Sequence, residues 1–157
     1  MASEVKPIPE GYHSITPYLI VKDGVRAIEF YERAFGAREL FRMMRPDGRV
    51  GHAELEIGDS RVMLADEHPE MGYVGPRTIG GTPVSLHLYV DDVDRRFRQA
   101  IDAGGVEKRP VEDQFYGDRS GTFEDPYGHL WHLATHKEDL SPEEISKRAD
   151  ALFGKKK

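Results

Sequence analysis

The chain repeats itself at a fixed distance. Adding 69 to a position in the first half pairs Val21 with Val90, Asp23 with Asp92, Ala34 with Ala103 and Gly36 with Gly105. The same shift pairs Gly48 with Gly117, Leu64 with Leu133, and Ala65 with Ala134. Chance identities would scatter their offsets. One constant offset from first element to last predicts two modules of equal size with no net insertion between them, which restricts the fold to a duplicated architecture.

Hydrophobic periodicity gives each module the order β-α-β-β-β. In "SITPYLIVKD", Ile15, Leu19 and Val21 fall on one strand face, with Thr16, Tyr18 and Ile20 on the other. Pro17 cannot donate to a ladder, which predicts an edge strand. "VRAIEFYERAFGA" places Ala27, Phe30, Tyr31 and Ala34 at helical spacing, with Gly36 as the stop. "ELFRMMRPDGRV" is a strand entering a turn, and "GHAELEIG" alternates His52, Glu54 and Glu56 against Ala53, Leu55 and Ile57. "SRVMLAD" completes the module. After a Gly- and Pro-rich stretch the pattern restarts with "VSLHLYVDD" and an amphipathic helix that turns Phe97, Ala100 and Ile101 inward. "EKRPVEDQFYG", "RSGTFED" and "HLWHLAT" supply three further strands. The boundaries that follow are an N-terminal arm (1–11), a first module (12–66), a connector (67–83), a second module (84–137), and a C-terminal helix with a basic tail (138–157). Ser141 caps that last helix, Pro142 opens it, and Ile145, Ala149 and Leu152 form a stripe expected to pack on its own domain.

Composition excludes whole classes. With no cysteine there are no disulfides, thiolate nucleophiles or Cys-based zinc sites. A net charge of -6 and no basic stretch interleaved with aromatics argue against nucleic acid, and Lys155–Lys157 reads as a solvated tail. No apolar run has membrane-spanning length and the start lacks a secretion-signal core, so a cytoplasmic protein is expected. There is no G-x-S-x-G elbow, phosphate loop or dinucleotide fingerprint.

The segment "DPYGHLWHLATH" holds His129, His132 and His136. On a helix these spacings would gather three imidazoles on one face, as metal-binding helices do; on a strand they would split His129 from His132. Together with "LIVKDGVRAIEFYERAFGA" and "LYVDDVDRRFRQAIDAGG", it resembles the vicinal oxygen chelate superfamily, which includes glyoxalase I, bleomycin-resistance proteins and extradiol dioxygenases. "ITPYLIVKD", "GHAELEIGDS" and "IGGTPVSLHLYVDDVD" are similar to its PhnB-like branch.

The resemblance implies an α+β fold of paired βαβββ modules forming a curved half-barrel sheet with a ligand in its concavity, and a homodimer. It makes "LWHLAT" the final strand, with His132 facing the cavity and Trp131 and Leu133 facing helices. Metal-dependent relatives carry ligands at positions matching Thr16, Met63, Ser85 and His132. Thioether and neutral hydroxyls are weak donors for hard divalent ions, so the inherited centre is expected to be lost and no cofactor is expected. Inward positions expected to bind a ligand are Thr16, Tyr18, Met63, Ser85, His87, Tyr89 and His132, joined by Phe115, Tyr116, Arg119 and Phe123. Aromatic walls with few polar handles suit a small, partly aromatic organic molecule, the expected partner. The alternative is a metal-dependent lyase, isomerase or dioxygenase with zinc or nickel held by a relocated set, His52, Glu54, His87 and His132.

Overall fold

A computed structural model describes residues 4–154, so the basic tail lies outside the described residues. The first module runs β1 (Tyr18–Val21), α1 (Gly24–Phe35), β2 (Arg38–Met44), β3 (Val50–Ile57) and β4 (Ser60–Asp66). The connector holds a 3₁₀ turn (Pro69–Met71) and the one-turn helix α2 (Pro76–Ile79). The second module runs β5 (Ser85–Tyr89), α3 (Val93–Ala103), β6 (Val106–Asp113), β7 (Asp118–Glu124) and β8 (Leu130–His136), followed by α4 (Pro142–Phe153). Each module is a four-stranded mixed sheet, ordered β1-β4-β3-β2 and β5-β8-β7-β6. In each, only the first and last strands are parallel neighbours. These are the two βαβββ modules of the expected α+β fold. Two compact units result: the chain through Thr82 together with Pro126–Gly128, and Pro83–Asp125 with the chain from His129 onward. Among the described residues no helix is long and apolar enough to cross a membrane.

Local chemistry explains the elements. The Asp23 carboxylate accepts from the Arg26 amide at 3.2 Å, and Gly36 ends α1 at φ 68°, a left-handed conformation that a side chain would resist. Ala27, Ile28, Phe30, Tyr31 and Ala34 of α1 are buried, as are Ala53, Leu55 and Ile57 of β3. Alternation puts His52, Glu54 and Glu56 on the face opposite α1. Pro17 leaves β1 short: the strand starts at Tyr18, the Pro17 carbonyl accepts from the Met63 amide at 2.9 Å, and Ile15 lies outside the strand, 87% exposed. The expected place of Ile15 on the strand face of Leu19 and Val21 is therefore corrected.

The repeat holds in the sheets with one slip. Tyr18 pairs with Met63 and His87 with His132, each shifted by 69. In the first module Glu54 also pairs with Met63, but in the second it is Thr122 that pairs with His132, a shift of 68. The cause is in β3, where the ladder passes from Met43↔His52 to Met44↔Val50 and skips Gly51. β7 runs against β8 with no such break. The extra residue returns in the five-residue turn between Glu124 and Leu130, where β3 and β4 need only Gly58-Asp59 between Ile57 and Ser60. The module lengths match, yet the middle strands are one residue out of step.

α4 departs from its expected packing. Ile145 and Ala149 are half-buried and Leu152 is exposed. The helix is held instead by Arg148, whose Nη1 and Nη2 each donate to the Glu138 carboxylate at 3.1 Å, with Phe153 edge-on to Phe115.

Candidate functional site

In the first unit, the sheet face opposite α1 carries a chain of hydrogen bonds. The Tyr12 hydroxyl donates to Glu54 Oε1. Glu54 Oε2 lies 3.0 Å from His52 Nε2, and His52 Nδ1 lies 2.8 Å from the Tyr18 hydroxyl. Bonds from Tyr12 and His52 hold the Glu54 carboxyl below its ordinary range. An ionised carboxylate only accepts, so Nε2 carries a proton; in the neutral ring Nδ1 then accepts from Tyr18. Burial, then the Glu54 hydrogen bond, push Tyr12 up to about 12, and burial with the nearby Tyr73 raises Tyr18. The ring of His52 leans on Tyr18 and Phe41, with centroids 5.5 and 6.3 Å away.

Beside Tyr18 lies a cavity of about 600 Å³. Its walls are Tyr18, Ile20, Met43, Ala65, Met71 and Tyr73, with Arg45, Asp66 and His68 as the polar lining and Gly51 at one side. A Cβ at Gly51 would come within 3.2 Å of Arg45 and 3.3 Å of the Met43 methyl, so the residue skipped by the ladder is also one whose lack of a side chain leaves room. The connector supplies one wall. His68 and Tyr73 pair as an isolated bridge, and Gly75 approaches the Ile20 carbonyl so closely that a Cβ would sit 2.7 Å from it. Asp66 is committed elsewhere, accepting from the Gly24 and Val50 amides at 2.9 and 2.7 Å. Arg45 is less fully engaged: its side chain is 19% exposed, its Nε lies 3.5 Å from an Asp47 carboxylate oxygen without making a hydrogen bond among the described residues, and it donates long bonds of 3.4 and 3.3 Å to the Glu67 carbonyl. His68 Nδ1 is likewise buried without a hydrogen bond there, 3.4 Å from a Glu70 carboxylate oxygen.

The second unit satisfies His132 and Tyr89 internally. His132 Nδ1 is 2.7 Å from the Thr122 hydroxyl and Nε2 is 3.0 Å from Ser85. Desolvation, then His87 and Arg109, lower its pKa from the ordinary histidine value. His87 lies between His132 and Tyr89, with ring centroids 5.8 and 4.9 Å away. The Tyr89 hydroxyl donates to Asp118 at 3.0 Å, and that bond raises its pKa. His136, bonded to Asp118 and Asp139 at 2.7 Å each, is shifted upward by those partners.

The expected site residues divide accordingly. Tyr18 pairs with Met63 in one sheet; Ser85, His87, Tyr89 and His132 share a face in the other. Thr16 precedes β1 and is half-buried. Three expectations are corrected. Phe123 is fully buried and packs edge-on to Phe97 of α3, because the one-residue slip gives Thr122 the position matching Glu54. Arg119 also turns to the helix side, where it makes two 2.9 Å bonds to Asp94 of α3. Phe115 is taken up by Phe153 of α4; Tyr116 stands edge-on to Phe115.

The residues at inherited ligand positions do not fit a metal: Thr16 offers a hydroxyl, Met63 a thioether, and Ser85 and His132 are bonded to each other. The relocated set is also corrected. Among the described residues no group of three or more His, Asp and Glu is placed to hold an ion. His52 pairs with Glu54, and His87 lies tilted against His132. Sequence reasoning missed Tyr12, Met43, Arg45, Gly51, His68 and Met71. Only Ile20 and Ala65 carried a signal, each two residues along a strand from an expected inward position.

Residues 11–133 match the Glyoxalase family, described as the Glyoxalase/Bleomycin resistance protein/Dioxygenase superfamily. An uncharacterised protein of Mycobacterium bovis is 42% identical over 148 residues, covering 92% of this chain and 93% of its own. TioX from Micromonospora sp. ML1 has a similar structure, with 28% identity, a TM-score of 0.61, and coverage of 82% of this chain and 100% of that one. The PhnB protein from Bacillus cereus, at 20% identity and a TM-score of 0.62 over 78% of this chain and 99% of its own, shares the fold.

Proposed function

The chain belongs to the Glyoxalase/Bleomycin resistance protein/Dioxygenase superfamily, and from that premise we propose that it binds a small, partly aromatic organic molecule without the inherited metal. The observation that carries the reading is the first unit's cavity of about 600 Å³, with its apolar and aromatic walls and two under-used polar groups. A pocket of that size and lining suits a flat apolar body with an acceptor or anionic group at one end. Tyr18 and Tyr73 face the body, while Arg45 and His68 are the handles for the acceptor. A side chain with unmade bonds in a desolvated site gains more from a ligand than one already satisfied, as the Asp66 carboxylate is.

The test is thermal unfolding against a panel of aromatic carboxylates and matched neutral aromatics. Ligand at about 100 times its dissociation constant should stabilise the protein by about 2.7 kcal/mol, visible as a rise in Tm. Aromatic carboxylates should outperform neutral analogues, and Arg45→Ala should remove that preference. A panel that leaves Tm unmoved, or a response that Tyr73→Ala and Arg45→Ala both leave intact, would remove the reading.

A further inference from the structure

We propose that the first unit's cavity and a polar compartment beside it act as one site for a zwitterion, with an aromatic body in the cavity and an α-ammonium and carboxylate in the compartment. The ligand class is an aromatic α-amino acid or a conjugate that ends in one. The proposal rests on the cavity reading and names the head group which that reading leaves open.

Arg45 and His68 line both spaces. On one side is the apolar cavity of about 600 Å³. On the other is a space of about 310 Å³ whose remaining charged lining is Asp47, Arg49, Glu67 and Glu70. Two guanidiniums and three carboxylates therefore share one compartment. A lone anion there meets the carboxylates and a lone cation meets the guanidiniums, whereas a ligand carrying both charges answers both. The two nitrogens left without a hydrogen bond, Arg45 Nε and His68 Nδ1, belong to the residues that the spaces share.

Both walls are held before a ligand arrives. The turn after β2 is closed by the Arg45 amide on the Arg49 carbonyl at 2.7 Å and the Gly48 amide on the Arg45 carbonyl at 3.0 Å. Asp47 Oδ1 accepts from the Arg49 amide at 3.0 Å. On the connector side, the His68 amide donates to the Tyr73 carbonyl at 2.8 Å, and the Thr78 hydroxyl lies 2.7 and 2.8 Å from the two Glu67 carboxylate oxygens. One hydroxyl proton leaves a carboxylate most of its acceptor capacity, so Glu67 keeps lone pairs for an ammonium. Arg45 Nε stands 3.5 Å from Asp47, too far for a good bond, so a ligand carboxylate taken there displaces little. The second module closes the matching place on itself. The residues 69 along from Arg49 and Glu67 are Asp118 and His136, which bond each other at 2.7 Å.

Isothermal titration of the full chain with three compounds sharing an indole tests the assignment. L-tryptophan carries both charges, indole-3-propionate only the carboxylate, and tryptamine only the ammonium. Tryptophan should bind about tenfold tighter than either, the scale of one charge-assisted bond. Glu67→Gln combined with Glu70→Gln should bring tryptophan to the level of indole-3-propionate. The amide at 67 still accepts from Thr78, so Tm should hold. Arg45→Ala should weaken tryptophan and indole-3-propionate alike and spare tryptamine. Tryptophan binding no tighter than indole-3-propionate, or an advantage that survives the paired Glu→Gln changes, would overturn the proposal and leave the cavity reading standing. Binding of none of the three would remove both.

Discussion

The two modules are copies in topology and opposites in what their inward faces offer. At matched places in the parallel pairs, the first presents Tyr18 and Met63 and the second His87 and His132. In the second, both nitrogens of His132 are met, by Thr122 and Ser85, at hydrogen-bond distance. In the first, the polar groups form a directed chain ending at a cavity, and Arg45 and His68 have bonds left to make. A satisfied polar network gives a ligand little reason to bind, whereas unmade bonds beside an apolar wall do. Duplication thus fixed a shared framework and left the two faces free to diverge.

The largest expected effect tests the shared framework. Leu64 and Leu133 are matched, fully buried residues at the centres of β4 and β8. Each change to alanine should cost about 3 kcal/mol by chemical denaturation, since each removes a packed side chain and leaves a cavity. Similar losses keep the modules equivalent as scaffolds; a loss at only one would break the comparison.

A smaller effect should separate the modules. Ala65 lines the cavity, while its match Ala134 is fully buried. Ala134→Leu should overpack its sheet and cost about 2 kcal/mol. Ala65→Leu should leave the denaturation midpoint within error and weaken the aromatic-carboxylate response at least tenfold by titration. Equal destabilisation by both would put a packed core where the account puts a pocket.

The smallest effect is electrostatic and lies within β8. Burial holds the His132 pKa below the ordinary 6.5, so its contribution is present above that value and is lost as pH falls toward its folded pKa. Asp118 and Asp139 hold His136 above 6.5, so its contribution is full below that value and is lost as pH rises through the raised pKa. Imidazole NMR should give titration midpoints on opposite sides of 6.5. His136→Gln should destabilise the protein at pH 6 and much less at pH 9.

Much of the framework could be read from residues alone. Alternation in "GHAELEIG" put Ala53, Leu55 and Ile57 inside, and spacing put Phe97 and Ala100 of α3 there. The resemblance turned Trp131 and Leu133 toward the helix, where both are buried. The limit was one residue of register. A bulge leaves identity matches and module length intact while turning every later side chain over, so Phe123 faces α3 and Thr122 faces His132. The cavity was hidden for another reason. Arg45 comes from the end of β2, Gly51 from the bulge and Met71 and Tyr73 from the connector, and no periodic signal ties such distant segments together. His52 and Glu54 were visible as a same-face pair suited to metal. Their use as links between Tyr18 and Tyr12 depended on a residue ahead of β1 whose contact lies 42 positions away.

The most direct measurement is a backbone and methyl NMR titration with whichever aromatic carboxylate raises Tm most. The account predicts shift changes at Ile20, Met43, Gly51, Ala65 and Met71, together with a change at the His52 ring. Shifts gathered instead at Ser85, His87 and His132, with the first unit silent, would contradict it.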